Sequence, residues 1–138
     1  MNLKKEIYNN FKSMNICCFA TSANSKPAVR PVTIIFFRDK FWLATGTSDN
    51  KMKQISQNKN VEFCLTISGE DSQGYIRVSG IAEKVSDIPT KKLIADNFEY
   101  IKHFWTEPDA PGYALLEIVP NEIEYLKLGE MIAQRYNV

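Results

Sequence analysis

Apolar and polar residues alternate over several stretches of the chain, and this two-residue period predicts β-strands. The clearest example is residues 61–67, VEFCLTI. Residues 28–38 have a nearly continuous apolar centre, VTIIFF, which predicts a strand that is buried on both faces. Further strands are predicted at residues 16–21, 41–45, 75–85, 113–119 and 123–127. Gly80 interrupts the 75–85 strand, where it predicts a bulge or a close approach of two backbones.

Three other segments predict helices. The first and third have apolar residues spaced by three or four positions, which is typical of an amphipathic helix. Their apolar residues are Leu3, Ile7, Phe11 and Met14 in the first helix, and Ile94, Phe98, Ile101 and Trp105 in the third. The second predicted helix is residues 51–58, with Thr47 or Ser48 as its N-cap. Ser86 or Asp87 can cap the third.

This order of elements predicts a mainly β fold. Short antiparallel strands joined by brief helical connections are typical of a small closed or half-closed barrel, here with six or seven strands. The length of 138 residues is close to the modal domain size, and no Pro/Gly/Ser-rich linker divides the chain. We therefore expect residues 1–138 to form one domain.

Composition and charge argue against several classes of protein. The net charge is +1, from 17 basic and 16 acidic residues, whereas nucleic-acid-binding proteins usually carry a clear basic excess. The longest nearly apolar run, residues 31–37, is far shorter than the roughly 18 residues of a membrane span. The three cysteines, Cys17, Cys18 and Cys64, lack the spacing of a zinc site or a disulfide framework. We interpret them as small buried side chains in a reducing, cytoplasmic protein that holds no metal.

Motifs for nucleotide binding, serine hydrolysis and zinc proteolysis are missing from the sequence. His103 is the single histidine, and its place in the third predicted helix indicates a surface or rim side chain rather than a catalytic base. The sequence therefore leaves the catalytic residues unknown.

Lys51 marks a candidate anion site. It lies in the first turn of a predicted helix, where the helix dipole favours negative charge, so a lysine there is favourable if an anion also binds. Thr45, Thr47 and Ser48 add hydroxyl donors just before it. The alternative is a solvated lysine, with Asp49 satisfying the dipole.

Arg30 strengthens the case for an anion. It lies in an otherwise apolar strand, and a buried guanidinium needs a partner. The next residue, Pro31, marks a strand edge, a bulge or a point facing a ligand. If this strand pairs with residues 41–45, Arg30 lies near Thr45, and a phosphate can be held by Arg30, Thr45 and Lys51. The alternative partner for Arg30 is a nearby acidic side chain.

These segments resemble the FMN-binding split β-barrel family, which includes pyridoxamine 5′-phosphate oxidase. The likeness spans about residues 17–85 and rests on RPVTIIFF, then FWLATGTSDNKMKQISQNKNVEF, then YIRVSGIAEKV. Its most specific parts are an Arg-x-Val in the second strand and a Thr followed six residues later by a Lys at a helix start.

The resemblance implies a homodimer that holds two FMN molecules at the subunit interface. The residues that it assigns to the cofactor are Arg30, Pro31, Val32, Thr33, Ala44, Thr45, Asn50, Lys51 and Tyr75. Arg30 and Lys51 would hold the phosphate, and Asn50 stands where many relatives have a phosphate-binding Arg. The segments 31–33 and 44–45 would line the flavin ring and ribityl chain. Tyr75 would reach the FMN of the other subunit.

Two departures from the namesake enzyme argue against vitamin B6 oxidation. Ile35 stands where that enzyme has a substrate-binding lysine, and the C-terminal LGEMIAQRYNV lacks its Arg-x-His pattern. The expected function is therefore an FMN-dependent oxidoreductase that acts on another small molecule. The alternatives are a non-catalytic flavin- or haem-binding module and a ligand-free interaction domain. Tyr100 and Trp105 are either core residues or a cover over the flavin.

Overall fold

A computed structural model describes residues 2–138, and within that range it contains four helices and seven strands. In chain order these are α1 (Leu3–Tyr8), β1 (Met14–Ala23), β2 (Lys26–Phe37), β3 (Lys40–Gly46), α2 (Asn50–Gln57), β4 (Asn60–Ser68), β5 (Gln73–Val85), α3 (Ile88–Asn97), α4 (Tyr100–Phe104), β6 (Tyr113–Leu126) and β7 (Gln134–Asn137).

The strands form one antiparallel sheet that closes on itself. Its order is β3-β2-β1-β4-β5-β6-β7, and β6 also pairs with β3. Strands β1 to β6 therefore make a six-stranded barrel, and β7 extends the sheet beyond β6. This confirms the predicted mainly β, antiparallel barrel of the split type. The strand β7 was not predicted, because QRYN is short and polar.

The barrel is open between β2 and β3. These two strands pair only next to their turn, where Ile35, Phe36 and Phe37 lie opposite Trp42, Phe41 and Lys40. Beyond that point β2 continues along β1, and β3 continues along β6. Segment 30–33 of β2 is therefore a strand edge that faces a gap, which explains how a proline without an N–H is accommodated at position 31.

Two hydrophobic cores hold β2 and β3 in place. The first fills the barrel and includes Ile34 and Phe41, both fully buried. The second lies outside the barrel, where α3 and α4 pack over Ile35 and Trp42. Ile34 and Ile35 are thus buried on opposite faces of β2, as the continuous apolar run predicted. The second core also places α4 beside the gap.

The first helix is shorter than predicted, whereas α2 has its predicted length and begins one residue earlier. The α1 helix ends at Tyr8 because the Asn10 side-chain amide donates to the Glu6 and Ile7 carbonyls, in competition with a further helical turn. Phe11 is still buried in the barrel, whereas Met14 begins β1 and is half exposed.

The third predicted helix is broken into α3 and α4. Phe98 has φ −134° and ψ 87°, outside the helical region, so α3 ends before it. Because the break turns the chain, Ile94 and Ile101 are both fully buried in the second core although they belong to different helices.

The last two predicted strands are one strand, β6, which continues through Pro120. Pro120 lies opposite Gly80 at the point where the β5–β6 register shifts. A Cβ on Gly80 would lie 2.3 Å from the Val119 carbonyl oxygen. This confirms the predicted close approach at Gly80.

Candidate functional site

A cavity of about 400 Å³ occupies the gap between β2 and β3. This volume lies within the range of small-molecule and cofactor sites. Its lining residues are Pro31, Val32 and Thr33 from β2, Leu43, Ala44, Thr45 and Gly46 from β3, Asp49 and Lys51 at the start of α2, and Tyr100, Phe104 and Trp105 from α4 and the residue after it. Of the nine predicted cofactor residues, the structure brings six together here and places Arg30, Asn50 and Tyr75 elsewhere.

One end of the cavity is a polar corner made by Thr45, Asp49 and Lys51. The Lys51 ammonium donates to Thr45 Oγ1 at 2.8 Å and to Asp49 Oδ2 at 3.0 Å. The Thr45 hydroxyl donates to the same Asp49 oxygen at 2.7 Å, and the Gly46 N–H does so at 3.3 Å. Three donors of the chain therefore converge on one point at the cavity wall.

Lys51 is not a solvated lysine. Its side chain is 14% exposed, whereas the Asp49 side chain is 50% exposed. A largely buried ammonium needs a counter-charge, and in this structure Asp49 supplies it. The hydrogen bonds from Thr45 and Lys51 hold the pKa of the Asp49 carboxyl below its ordinary value.

The predicted caps Thr47 and Ser48 are wrong, because Asp49 occupies the N-cap position of α2. Its side chain nevertheless makes no hydrogen bond to the helix amides. The carboxylate turns back towards β3 instead, where Thr45 and Lys51 offer stronger, charge-assisted donors.

Arg30 points away from the cavity. It lies opposite Phe19 of β1, so its side chain shares the inner face of the barrel with that buried ring. The guanidinium donates to Thr21 Oγ1 at 2.9 Å, to the Phe19 carbonyl at 3.3 Å and to Gln54 Oε1 at 2.8 Å. Arg30 thus joins β1 to α2 at the end of the barrel.

Burial lowers the pKa of Arg30. Among residues 2–138, no carboxylate lies within ion-pair distance of it. The alternative of a salt bridge for Arg30 is therefore wrong.

Asn50 and Tyr75 also lie outside this cavity. Asn50 is the exposed first residue of α2. Tyr75 lies on the outer face of β5, and its hydroxyl donates to Glu124 at 2.7 Å. Within one chain neither side chain belongs to the wall of the gap.

Part of the cavity wall is aromatic. The Trp105 ring stacks on Tyr113, with the centroids 5.4 Å apart and the planes at 16°. Tyr100 and Trp105 also pack against the second core, which agrees with their interpretation as core residues, while a cover over the flavin stays a prediction. Phe104, which the sequence analysis missed, is 72% exposed at the rim. Its spacing of four residues from Tyr100 is the signal that places both on one side of α4.

The Tyr100 hydroxyl is buried and finds no hydrogen-bond partner in the described part of the chain. Burial raises the pKa of Tyr100 to about 12, so the group is a neutral phenol at physiological pH.

The cysteines are only partly as predicted. Cys17 is buried, and burial raises the pKa of its thiol to about 12. Cys18 is exposed and Cys64 half-buried, because both face outward from the sheet. Residues 2–138 contain no group of acidic, histidine or cysteine side chains able to hold a metal ion. No helix within the same range is long and apolar enough to cross a membrane.

The fold and the gap define a class of split-barrel proteins with a cofactor-sized cavity between two diverging strands. Residues 3–127 match the family model described as pyridoxamine 5′-phosphate oxidase. The chain therefore belongs to this family.

The chain is also similar to individual proteins of this kind. General stress protein 26 of Bacillus subtilis is 27% identical over 135 residues, covering 94% of this chain and 91% of the relative. The crystal structure of General Stress Protein 26 from Bacillus anthracis is 25% identical, covers all of both chains and superposes with a TM-score of 0.77. A NimC/NimA family protein from Clostridium acetobutylicum is 18% identical, covers 97% of this chain and 91% of its own, and has a TM-score of 0.79.

Ile35, which stands where the namesake enzyme has a substrate-binding lysine, has no access to the cavity. The structure buries this side chain completely in the second core, on the side of β2 covered by α3 and α4. An isoleucine there cannot supply a charged contact to a substrate.

Proposed function

We propose that this protein binds FMN in the gap between β2 and β3 and acts as an oxidoreductase on a small molecule. The observation that carries the proposal is the shape and chemistry of the gap. It has a largely buried cation, and its lining includes the edge of β2 and aromatic side chains from α4 and the residue after it. Such a site matches a ligand with a phosphate at one end and a planar ring whose two faces can both contact the protein.

Lys51 and Thr45 are the residues that would hold the phosphate. The edge of β2 at Pro31, Val32 and Thr33 would lie along the flavin ring, since its backbone there has no β3 partner. The small side chain of Ala44 leaves room for the ring or the ribityl chain. FMN, when bound, supplies hydride and electron transfer, while the protein supplies orientation and excludes water.

Arg30 and Asn50 have supporting roles in this proposal. Arg30 holds Gln54 of α2 at 2.8 Å, so it fixes the helix that carries Lys51. Arg30 is not among the residues that line the cavity, so direct contact with the phosphate requires that its guanidinium turn towards the cavity. Asn50 would add its side-chain amide as a further donor at the start of α2.

We also propose a homodimer with the cofactor at the interface. The outer face of β1 and β2 exposes Ile16 by 71%, Val29 by 68% and Met14 by 50%. Such an apolar patch on a sheet is typical of a protein–protein contact. Tyr75 lies on the same outer face, because the register joins Cys18 to Cys64 and Cys64 to Arg77. From there Tyr75 would reach the partner's cavity.

We further propose that residues 1–138 are one flavin-binding domain of a protein in the reducing cytoplasm. Its first test is the absorbance of the purified protein, with FMN added and the excess removed. We expect the spectrum of a bound oxidised flavin. A colourless protein that takes up no FMN contradicts the proposal.

The catalytic part needs a second measurement. Anaerobic addition of NADH or NADPH to the FMN-loaded protein should bleach the flavin absorbance. Bound FMN that no nicotinamide donor reduces favours the non-catalytic flavin module. Histidine-ligated haem has no support in this structure, because His103 is exposed and does not line the cavity.

Sedimentation tests the homodimer. The variant Ile16→Lys should lower the mass from two chains to one, whereas the control Met131→Lys, at a residue 95% exposed elsewhere on the surface, should not. A single-chain mass for the unmodified protein at micromolar concentration contradicts the dimer.

A further inference from the structure

Asp49 occupies the position in the polar corner where an anionic ligand would be bound. One of its oxygens accepts from Thr45, Lys51 and the Gly46 N–H. A phosphate oxygen seeks the same kind of donors. A ligand phosphate in this corner would therefore meet a carboxylate already bound there.

Position 46 allows this arrangement. A Cβ on Gly46 would lie 3.2 Å from Asp49 Oδ1, closer than an ordinary contact. The glycine thus leaves room for the carboxylate to fold back onto β3.

The two partners of the ion pair differ in freedom. Asp49 is half exposed and makes no hydrogen bond to the helix, so its carboxylate can turn into solvent when a phosphate takes over its donors in the corner. Lys51 is 14% exposed, so its ammonium remains at the corner and still needs a counter-charge. The exchangeable member of the pair is the carboxylate.

We propose that Asp49 is a built-in competitor of the ligand phosphate and thereby sets how strongly the site prefers FMN to riboflavin. This inference rests on the proposed function, and it assigns to Asp49 a role in specificity. In this structure Asp49 neutralises Lys51, and a phosphate must displace it. Riboflavin has no phosphate and leaves the pair intact.

The test compares the unmodified protein with Asp49→Asn, which keeps the shape and removes the charge. Asp71→Asn is the matched control, since Asp71 is an exposed acid in the β4–β5 loop. Fluorescence titration should show that Asp49→Asn binds FMN about tenfold more tightly, an affinity change that corresponds to about 1.4 kcal/mol. Riboflavin affinity should be unchanged, and Asp71→Asn should match the unmodified protein in both titrations.

A second variant guards against an effect of the amide itself. Asp49→Ser keeps a favoured N-cap residue and should also bind FMN more tightly. Equal or weaker FMN binding by both variants overturns the inference, because Asp49 would then support the phosphate site. A parallel gain for riboflavin also overturns it.

Inorganic phosphate separates this inference from the proposed function. Phosphate added to ¹⁵N-labelled protein should shift the Gly46 amide signal at lower concentration in Asp49→Asn than in the unmodified protein. If no variant binds flavin but this shift is seen, the proposed function fails and the competitor role of Asp49 is supported. If phosphate affects both proteins equally, the competitor role is overturned.

Discussion

Replacing Lys51 with Gln should weaken FMN binding and leave riboflavin binding intact. Lys51 is the one cation among the residues that line the described cavity. Its ammonium already makes two hydrogen bonds, at 2.8 and 3.0 Å, so it is placed to donate one or more to a phosphate. A hydrogen bond that involves a charged group contributes about 1.5–3 kcal/mol.

That energy corresponds to a loss of about 10- to 150-fold in FMN affinity, since each 1.4 kcal/mol is a factor of ten. Fluorescence quenching of FMN and of riboflavin measures both affinities on the same protein. Lys53→Gln is the control, because Lys53 is an exposed lysine on the same helix and changes the net charge equally.

The pattern across the two flavins decides the interpretation. An equal loss for FMN and riboflavin would mean that Lys51 supports the fold of the cavity rather than the phosphate. Unchanged FMN affinity in Lys51→Gln would refute the reasoning altogether.

Three further predictions concern stability. Gly80→Ala should lower the free energy of unfolding by about 1–3 kcal/mol, the range for overpacking, because the new Cβ would meet the Val119 carbonyl at 2.3 Å; a urea curve like that of the unmodified protein contradicts this. Tyr100→Phe should stabilise the ligand-free protein by about 1–3 kcal/mol by removing a buried, unpaired hydroxyl, and a lower melting temperature would show a missed partner. Because the native pKa of Asp49 is lowered, the stability that its carboxylate contributes is present above the ordinary Asp pKa of about 3.9 and is lost as the pH falls through the native value. Asp49→Asn should flatten this part of the pH profile, and identical profiles for both proteins would show that the corner contributes nothing.

The local pattern of apolar and polar residues was sufficient to predict the barrel. The alternation in residues 61–67 and the apolar run before Phe37 report which faces of a strand are buried. Pro31 reports a strand edge, because its missing N–H is incompatible with pairing on both sides. The strand edge that Pro31 predicts is the edge of β2 that faces the gap between β2 and β3.

The helix break and the last strand depended on contacts between distant segments. Nothing in the spacing of residues 94–105 reveals that the chain turns at Phe98. That turn arises from packing against Ile35 and Trp42, which lie far away in sequence. Likewise β7 is defined by pairing with β6, not by its own composition.

The candidate site shows the same division. Lys51 was identified from its place at a helix start, and Thr45 as one of the hydroxyl donors just before that helix; the spacing of six residues between them entered through the family resemblance. The direction of the Arg30 side chain was not predictable, because it follows from which face of β2 points into the barrel. The position of Asp49 was missed because capping rules favour the helix amides, whereas Thr45 and Lys51 compete for the carboxylate.

The central claim is that FMN binds in the gap between β2 and β3, and chemical-shift mapping tests it most directly. Adding FMN to ¹⁵N-labelled protein should shift the amide signals of Val32, Thr33, Ala44, Thr45 and Lys51. The signals of the β4–β5 loop, residues 69–72, should stay in place. Shifts confined to other surfaces, or no shifts at saturating FMN, would contradict the account.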